Sequence, residues 1–227
     1  MSVPTRSTRP SSSRSLSSAQ LRFRLARWLL RAILGSILRV RVEGLERVPA
    51  GPYVLACNHL SWVDPFLLIG WLPASPRLHF LGRRSAIHNR WWKRRVLAFM
   101  GGVIPVESGE LRELSEAVGR TLALGGAVAV FPEGGIGREE GALQPLRRGA
   151  AHFAAEAGAP IVVAGLAGTL RLWRGKELRL RVGATVPPSS DIAETMAAVE
   201  AAMRAALPAY EERPGRRPWP WLTTLLR

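Results

Sequence analysis

A histidine and an aspartate five positions apart, His59 and Asp64, close an apolar run: Tyr53-Val54-Leu55-Ala56-Cys57-Asn58-His59-Leu60-Ser61-Trp62-Val63-Asp64-Pro65. A carboxylate that holds one imidazole nitrogen fixes the tautomer and raises the basicity of the other, which can then take a proton from a hydroxyl. Asp64-Pro65 also has the marks of a helix start, with Asp at the N-cap and Pro at the first helical position. Both side chains therefore fall in one tight strand-to-helix connection. On spacing alone two readings stay open, an acid–base pair or a helix cap beside a loop histidine. Cys57 adjoins the pair, but at the end of a buried strand it reads as a small apolar filler rather than a nucleophile.

A second constellation is Val128-Ala129-Val130-Phe131-Pro132-Glu133-Gly134-Gly135-Ile136-Gly137-Arg138. An apolar strand runs into Pro, an acid and three glycines, so backbone amides are bared where the chain leaves a sheet. The Gly/Lys/Ser spacing of a nucleotide-binding loop is missing, and a plain turn remains an alternative. With Cys57 as the single cysteine, an intramolecular disulfide framework and any multi-cysteine metal site are excluded, and a reducing compartment is the natural setting. Nothing in the sequence demands a metal.

Taken in order, Asn58-His59-x-Ser61-x-x-Asp64, Gly101-Gly102-Val103-Ile104-Pro105-Val106, Phe131-Pro132-Glu133-Gly134 and Ala159-Pro160-Ile161-Val162-Val163 resemble the four blocks of the glycerolipid acyltransferase family. The first block carries its His-x4-Asp motif, and Leu146-Arg147-Arg148-Gly149-Ala150-Ala151 resembles the basic stretch after the third block. The resemblance implies transfer of a fatty acyl group from a coenzyme A or acyl carrier protein thioester to a lipid hydroxyl. No bound cofactor is required. It makes His59 the general base and Asp64 its orienting partner, with Asn58, Ser61, Arg83, Glu133, Gly134, Arg138, Arg147 and Arg148 as substrate-binding candidates. Two departures bear on the acceptor. Where phosphate-recognising members carry an Arg after the second block and after the third, this chain has Ser108 and Ile136. The acceptor is then lysophosphatidic acid, with Arg138 and Arg83 taking over the phosphate, or a less charged lyso-lipid. A catalytically silent lipid-binding or membrane-remodelling protein on the same fold is the competing reading.

The elements that must position these residues alternate short apolar runs with helical patterns, which predicts an α/β domain: a central mixed, largely parallel sheet flanked by helices. Strands are expected at 39–44, 52–57, 77–82, 102–106, 127–131, 160–166 and 177–184. Helices are expected at 64–72, 90–100, 109–124, 147–157 and 190–206, with Ser108 or Ser190 as starts and Gly125-Gly126 and Gly158 as stops. Phe66, Leu67, Leu68, Ile69 and Trp71 are either core or the lining of an acyl tunnel.

Of the chain's 227 residues, 32 are basic and 17 acidic, a formal charge of +15, and Lys93 and Lys176 are the only lysines. Nucleic acid, anionic membrane and an acidic substrate are all compatible with that excess. Position discriminates. Residues 1–20 are rich in Ser and Arg and poor in apolar side chains, so they read as a disordered basic tail, with an organellar transit peptide as the alternative. Residues 21–40 predict an amphipathic helix. Leu21, Leu25, Trp28, Leu29, Ala32, Ile33, Ser36, Ile37 and Val40 form an apolar stripe, and Arg24, Arg27 and Arg31 share another side. Such a helix suits the headgroup region of a membrane, the alternative being one docked on the protein's own core. The cluster Arg77, Arg83, Arg84, Arg90, Lys93, Arg94 and Arg95 could meet headgroups or the donor's phosphates.

Residues 41–207 are expected to form the acyltransferase domain. Residues 208–227, rich in Trp and Arg, are expected to be a second interfacial anchor or a strap on the domain. No segment is apolar enough to span a bilayer, which places the protein peripherally on the cytoplasmic face of the membrane. Nucleic acid ranks last among partners, because no helix-turn-helix, zinc or aromatic-basic sheet signature accompanies the charge. The oligomeric state is not legible.

Overall fold

Strand β2 (Tyr53–Cys57) is buried along its whole length, as an apolar run without polar alternation requires of a strand covered on both faces. The computed structural model describes residues 18–83, 102–106 and 111–211. The expected helix over 90–100, the start at Ser108, most of the basic cluster after Arg83, and the greater part of both tails lie outside the described residues.

Around β2 stand β1 (Arg39–Glu43), β3 (Leu78–Arg83), β4 (Val103–Val106), β5 (Ala127–Val130), β6 (Ile161–Ala167) and β7 (Glu177–Val186). They form one seven-stranded sheet in the order β1-β7-β6-β2-β5-β3-β4. Pairing is parallel throughout except between β6 and β7. Every strand expected from the sequence is present to within two residues at either end.

Alternate residues of β2 serve two cores. Tyr53, Leu55 and Cys57 pack with Leu67 and Leu68 of helix α2 (Asp64–Trp71), and Val54 and Ala56 pack on the other face with Ala150 and Phe153 of helix α4 (Gly149–Ala157). That second face also takes Val118 and Leu122 of α3 (Leu111–Ala123) and Val199 and Met203 of α5 (Ile192–Ala206). The connection after β2 thus leads to one face and the connection after β5 to the opposite one. Where neighbouring strands send their connections apart in this way, a crevice opens at their carboxyl ends.

Helix ends follow the sequence signals closely. Helix α4 stops at Gly158, which takes the left-handed conformation (φ 59°) favoured for glycine. Helix α5 is capped by Asp191, one residue beyond the expected Ser190; its carboxylate accepts the N–H of Glu194 at 2.9 Å.

Helix α1 (Ser18–Ile37) starts and ends three residues earlier than expected, and Val40 lies in β1 rather than on the helix. One face docks on the domain: Ala26 is buried, and Phe23, Leu30 and Leu34 pack against the α2 side of the core. The opposite face carries the stripe read from the sequence, with Leu21 61 %, Leu25 55 %, Trp28 63 % and Ile33 59 % exposed. The arginines depart from the expectation of a solvated basic face. Arg27 turns inward, its Nε donating to Ile69 O (2.7 Å) and its Nη2 to Gly70 O (3.0 Å) and to Leu72 O. Arg31 lies over the Trp71 ring, 5.6 Å from its centroid. Ile69 O and Gly70 O are among the last carbonyls of α2, which have no partner within their own helix, and Leu72 is its C-cap.

Candidate active site

The chain leaves the buried end of β2 by a loop held on both sides. Asn58 is only 1 % exposed. Its Nδ2 donates to Leu166 O (3.0 Å) and its Oδ1 accepts the N–H of Leu166 (2.7 Å), so the side chain continues the β2–β6 ladder by one step. With its amide group engaged on Leu166 and buried, Asn58 fixes the loop. Ser61, also buried, is likewise occupied locally: its Oγ accepts the N–H of Val63 (3.3 Å), and its carbonyl accepts the N–H of Asp64 (3.0 Å).

Asp64 is the first residue inside α2, and the N-cap position belongs to Val63, so the expected capping role is corrected. The carboxylate faces back into the loop. A single oxygen, Oδ2, receives the N–H of Leu60 (2.6 Å), the N–H of Ser61 (2.7 Å) and Nδ1 of His59 (2.8 Å). Because a carboxylate oxygen only accepts, this contact places the imidazole proton on Nδ1 and leaves the lone pair on Nε2. Among the described residues Nε2 has no hydrogen-bond partner, and the His59 side chain is 17 % exposed.

His59 is clamped by the loop after β5. Its ring stacks on Phe131, with centroids 4.1 Å apart and planes 16° from parallel. Its backbone N–H donates to Glu133 Oε1 (3.1 Å), and its carbonyl accepts the N–H of Gly137 (2.6 Å). Glu133 reaches further, its Oε2 accepting the N–H of Gln144 (3.2 Å). Burial pushes the Glu133 carboxyl above the usual carboxylate range, opposed by the two N–H groups it receives. The neighbouring Cys57 thiol is fully buried and pushed well above its ordinary range, first by burial and then by the charges of Asp64 and Glu133. A thiol kept protonated in this way is a poor nucleophile, in line with its reading as filler.

Gly134 adopts φ 71°, and a Cβ there would run into the Arg147 guanidinium. The glycine therefore lets Arg147 lie across the turn, while Arg147 N donates to Pro132 O at 2.7 Å. Arg148 occupies the N-cap position of α4 and is exposed. Arg138 leaves the same loop one residue beyond Gly137 and lines a separate recess with Glu140 and Arg171. Arg83 ends β3, which is separated from β2 by β5; its side chain is outside the described residues. Ile136 is half-buried between Gly135 and Gly137.

Phe131, Gly137 and Glu140 also build the site and were not legible as site residues in the sequence. Glu140 ties the loop to the chain after β6, accepting the N–H of Gly168 (2.9 Å) and of Leu170 (3.0 Å). The signal for Phe131 was its place directly before Pro132-Glu133. Nothing in spacing announces Glu140, whose partners lie about thirty residues on. The candidate tunnel residues Leu67, Leu68 and Ile69 sit in the core, with Phe66 and Trp71 packed at its edge. Among the described residues no group of three His, Cys, Asp or Glu side chains is arranged to hold a metal ion.

Comparison with known proteins bears on this arrangement. The Acyltransferase family matches residues 39–166, from β1 to near the end of β6. The chain is 30 % identical over 154 residues to a 1-acyl-sn-glycerol-3-phosphate acyltransferase of Bacillus subtilis (strain 168), covering 66 % of this chain and 71 % of that protein. It is 34 % identical over 134 residues to the human 1-acyl-sn-glycerol-3-phosphate acyltransferase alpha, covering 55 % of this chain and 44 % of the human one. A lyso-ornithine lipid O-acyltransferase of Pseudomonas aeruginosa is 32 % identical over 117 residues, covering 50 % and 42 % of the two chains. The crystal structure of the 1-acyl-sn-glycerophosphate (LPA) acyltransferase PlsC of Thermotoga maritima superposes with a TM-score of 0.64 at 20 % identity, covering 83 % of this chain and 78 % of that one, and shares the fold. The class so defined is that of the O-acyltransferases built on a mixed, largely parallel sheet flanked by helices. The chain belongs to the Acyltransferase family.

Proposed function

We propose that this protein is a peripheral membrane acyltransferase that moves a fatty acyl group from a coenzyme A or acyl carrier protein thioester to the hydroxyl of a lyso-glycerolipid or related lyso-lipid. The observation that carries the reading is the 2.8 Å contact between His59 Nδ1 and Asp64 Oδ2, with Nε2 left unpartnered among the described residues. His59 Nε2 takes the acceptor hydroxyl's proton as the oxygen attacks the thioester carbonyl. The tetrahedral intermediate collapses, the carbon–sulfur bond breaks, and the proton passes to the departing thiolate. Asp64 holds the imidazole tautomer and stabilises the imidazolium formed in transit. The chain needs no acyl-enzyme intermediate, and Cys57 takes no part.

Glu133 and Gly134 shape the loop that seats His59, and Arg147 and Arg148 supply positive charge around it for anionic parts of the substrates. Ile136 stands where phosphate-recognising members carry arginine, and the relatives include acyltransferases named for a phosphate-bearing acceptor and for an ornithine lipid. The acceptor is accordingly lysophosphatidic acid or a lyso-lipid of lower charge. Residues 41–207 form the catalytic domain, and α1, together with the basic and Trp/Arg-rich sequences of 1–20 and 208–227, serves association with the cytoplasmic face of the membrane. Among the described residues no helix is long and apolar enough to cross a bilayer.

The test is acyl transfer by purified protein with both donor types and a panel of lyso-lipids. His59→Ala and Asp64→Asn are each expected to lower kcat by about 10²-fold or more, with circular dichroism and melting temperature unchanged. Near-wild-type activity in either folded variant would sink the mechanism. No thioester consumption by the wild type across the whole panel would favour a silent lipid-binding role.

A further inference from the structure

The segments that follow β5 and β6 meet the starts of β7 and β1 and the chain just after α5. Two open recesses form there, one of about 300 Å³ reaching Arg138 and Arg171 and one of about 470 Å³ reaching Arg39 and Arg179. Lys176 and Tyr210 line both, so the two are halves of one trough. β1 and β7 run opposite to the other five strands, which puts their first residues at the same edge of the sheet as His59.

The trough is built rather than incidental. Lys176 is only 3 % exposed, with its Nζ donating to Arg171 O and lying 4.0 Å from the Trp173 centroid and 5.0 Å from that of Tyr210. Its acids are largely engaged: Glu177 contacts Arg41 (3.0 Å) and Arg179 (2.7 Å), and both Glu140 oxygens accept backbone N–H groups. Burial further pushes the Glu140 carboxyl up. Glu139 and Glu211 are exposed on the trough's margin. Arg138 at one end and Arg39 at the other are exposed and make no side-chain hydrogen bond or ion pair among the described residues.

Distance from the site decides between ligands. Neighbouring strands lie about 4.8 Å apart, so β7, two strands from β2, is roughly 10 Å from the His59 strand laterally, and β1 roughly 14 Å. The phosphate of lysophosphatidic acid, a few bonds from its reacting hydroxyl, does not extend as far as the Arg39 end. A pantetheine arm, about a dozen bonded atoms long, spans roughly 15 Å and does. Carrier protein would bring one phosphodiester and then a protein surface, whereas coenzyme A brings three phosphates and an adenosine, which need a trough of this size with aromatic and guanidinium lining.

We propose that the trough from Arg138 to Arg39 holds the nucleotide end of a coenzyme A thioester, with guanidinium groups on its phosphates and Tyr210 beside its adenine. This rests on the acyl-transfer reading of the site, and deepens it by selecting the donor.

The test is steady-state transfer by the full chain from acyl-CoA and from the same acyl group on pantetheine, which lacks the phosphates and the nucleoside. The expected result is a KM for acyl-CoA at least about ten-fold below that for acyl-pantetheine, raised several-fold by Arg39→Ala and by Arg138→Ala, with the rise confined to the coenzyme A donor. Equal use of both donors by the wild type, an equal rise on both in the variants, or a rise in the acceptor's KM instead would overturn the assignment. So would transfer from acyl carrier protein alone. Calorimetric titration with free coenzyme A answers for the trough separately from catalysis. Binding that Arg39→Ala and Arg138→Ala weaken supports the trough even if no transfer is detected, in which case only the acyl-transfer reading falls. Binding unchanged by both variants, or none by the wild type, overturns it.

Discussion

Three N–H groups converge on one oxygen of Asp64, and two of them come from the backbone of the loop that carries His59. The carboxylate therefore holds both the ring and the path of the chain around it, and the geometry is set before any substrate arrives. Asn58 does comparable work one residue upstream. Its amide substitutes for a peptide group, continuing the pairing with Leu166 past the end of β2. Asn58→Ala leaves the Leu166 N–H and C=O buried and unsatisfied, and is expected to cost about 2–4 kcal/mol of stability, measured by denaturant unfolding. A loss below roughly 1 kcal/mol would contradict the stapling role. At this scale the sequence was legible where one residue type has one use. His59 and Asp64 share a short loop, so their meeting follows from their spacing. The stapling role of Asn58 was not legible because its partner lies 108 residues away, and nothing local distinguishes an amide that staples strands from one that meets substrate.

Elements were more legible than their faces. Short apolar runs separated by helical periods announce a strand-helix alternation, and each β-strand formed where its run stood. Which side of α1 meets the domain was not legible, because the helix has two apolar faces and arginine can serve either. Arg27 is the case in point. A guanidinium beside the last turn of α2 satisfies carbonyls that have no helical partner, and its positive charge opposes the negative end of that helix's dipole. Its own pKa is lowered, first by burial and then by Arg31 and Arg24. The opposite end of α2 carries Asp64, so the contact that seats α1 also steadies the helix that aims the carboxylate. Arg27→Met keeps the packing stem and removes the donors. It is expected to destabilise the fold by about 2–3 kcal/mol, read as a lowered denaturation midpoint. An unchanged midpoint would mean that water replaces the guanidinium without penalty.

Across the whole molecule, charge and apolar surface are distributed together. Helix α1 is fixed to the domain through Phe23, Ala26, Arg27, Leu30 and Leu34, so its outer stripe of Leu21, Leu25, Trp28 and Ile33 is presented on a rigid support rather than on a loose tail. A contiguous apolar stripe left in water is costly and marks a contact surface. In a chain of formal charge +15, an anionic bilayer surface is the expected partner, because it would satisfy both the stripe and the charge, whereas a nucleic acid would satisfy only the charge. Burying a large apolar side chain is worth about 1.5–3 kcal/mol. The double variant Leu25→Ser, Trp28→Ser should then lower partitioning onto anionic vesicles by about 10²-fold or more, since each 1.4 kcal/mol is tenfold. Both side chains are exposed, so the melting temperature should hold. Flotation with vesicles containing phosphatidylglycerol measures the first quantity and calorimetry the second. Variants that float as well as the wild type would show that charge alone holds the protein to the surface. Binding to duplex DNA but not to vesicles at physiological salt would remove the membrane from the account altogether.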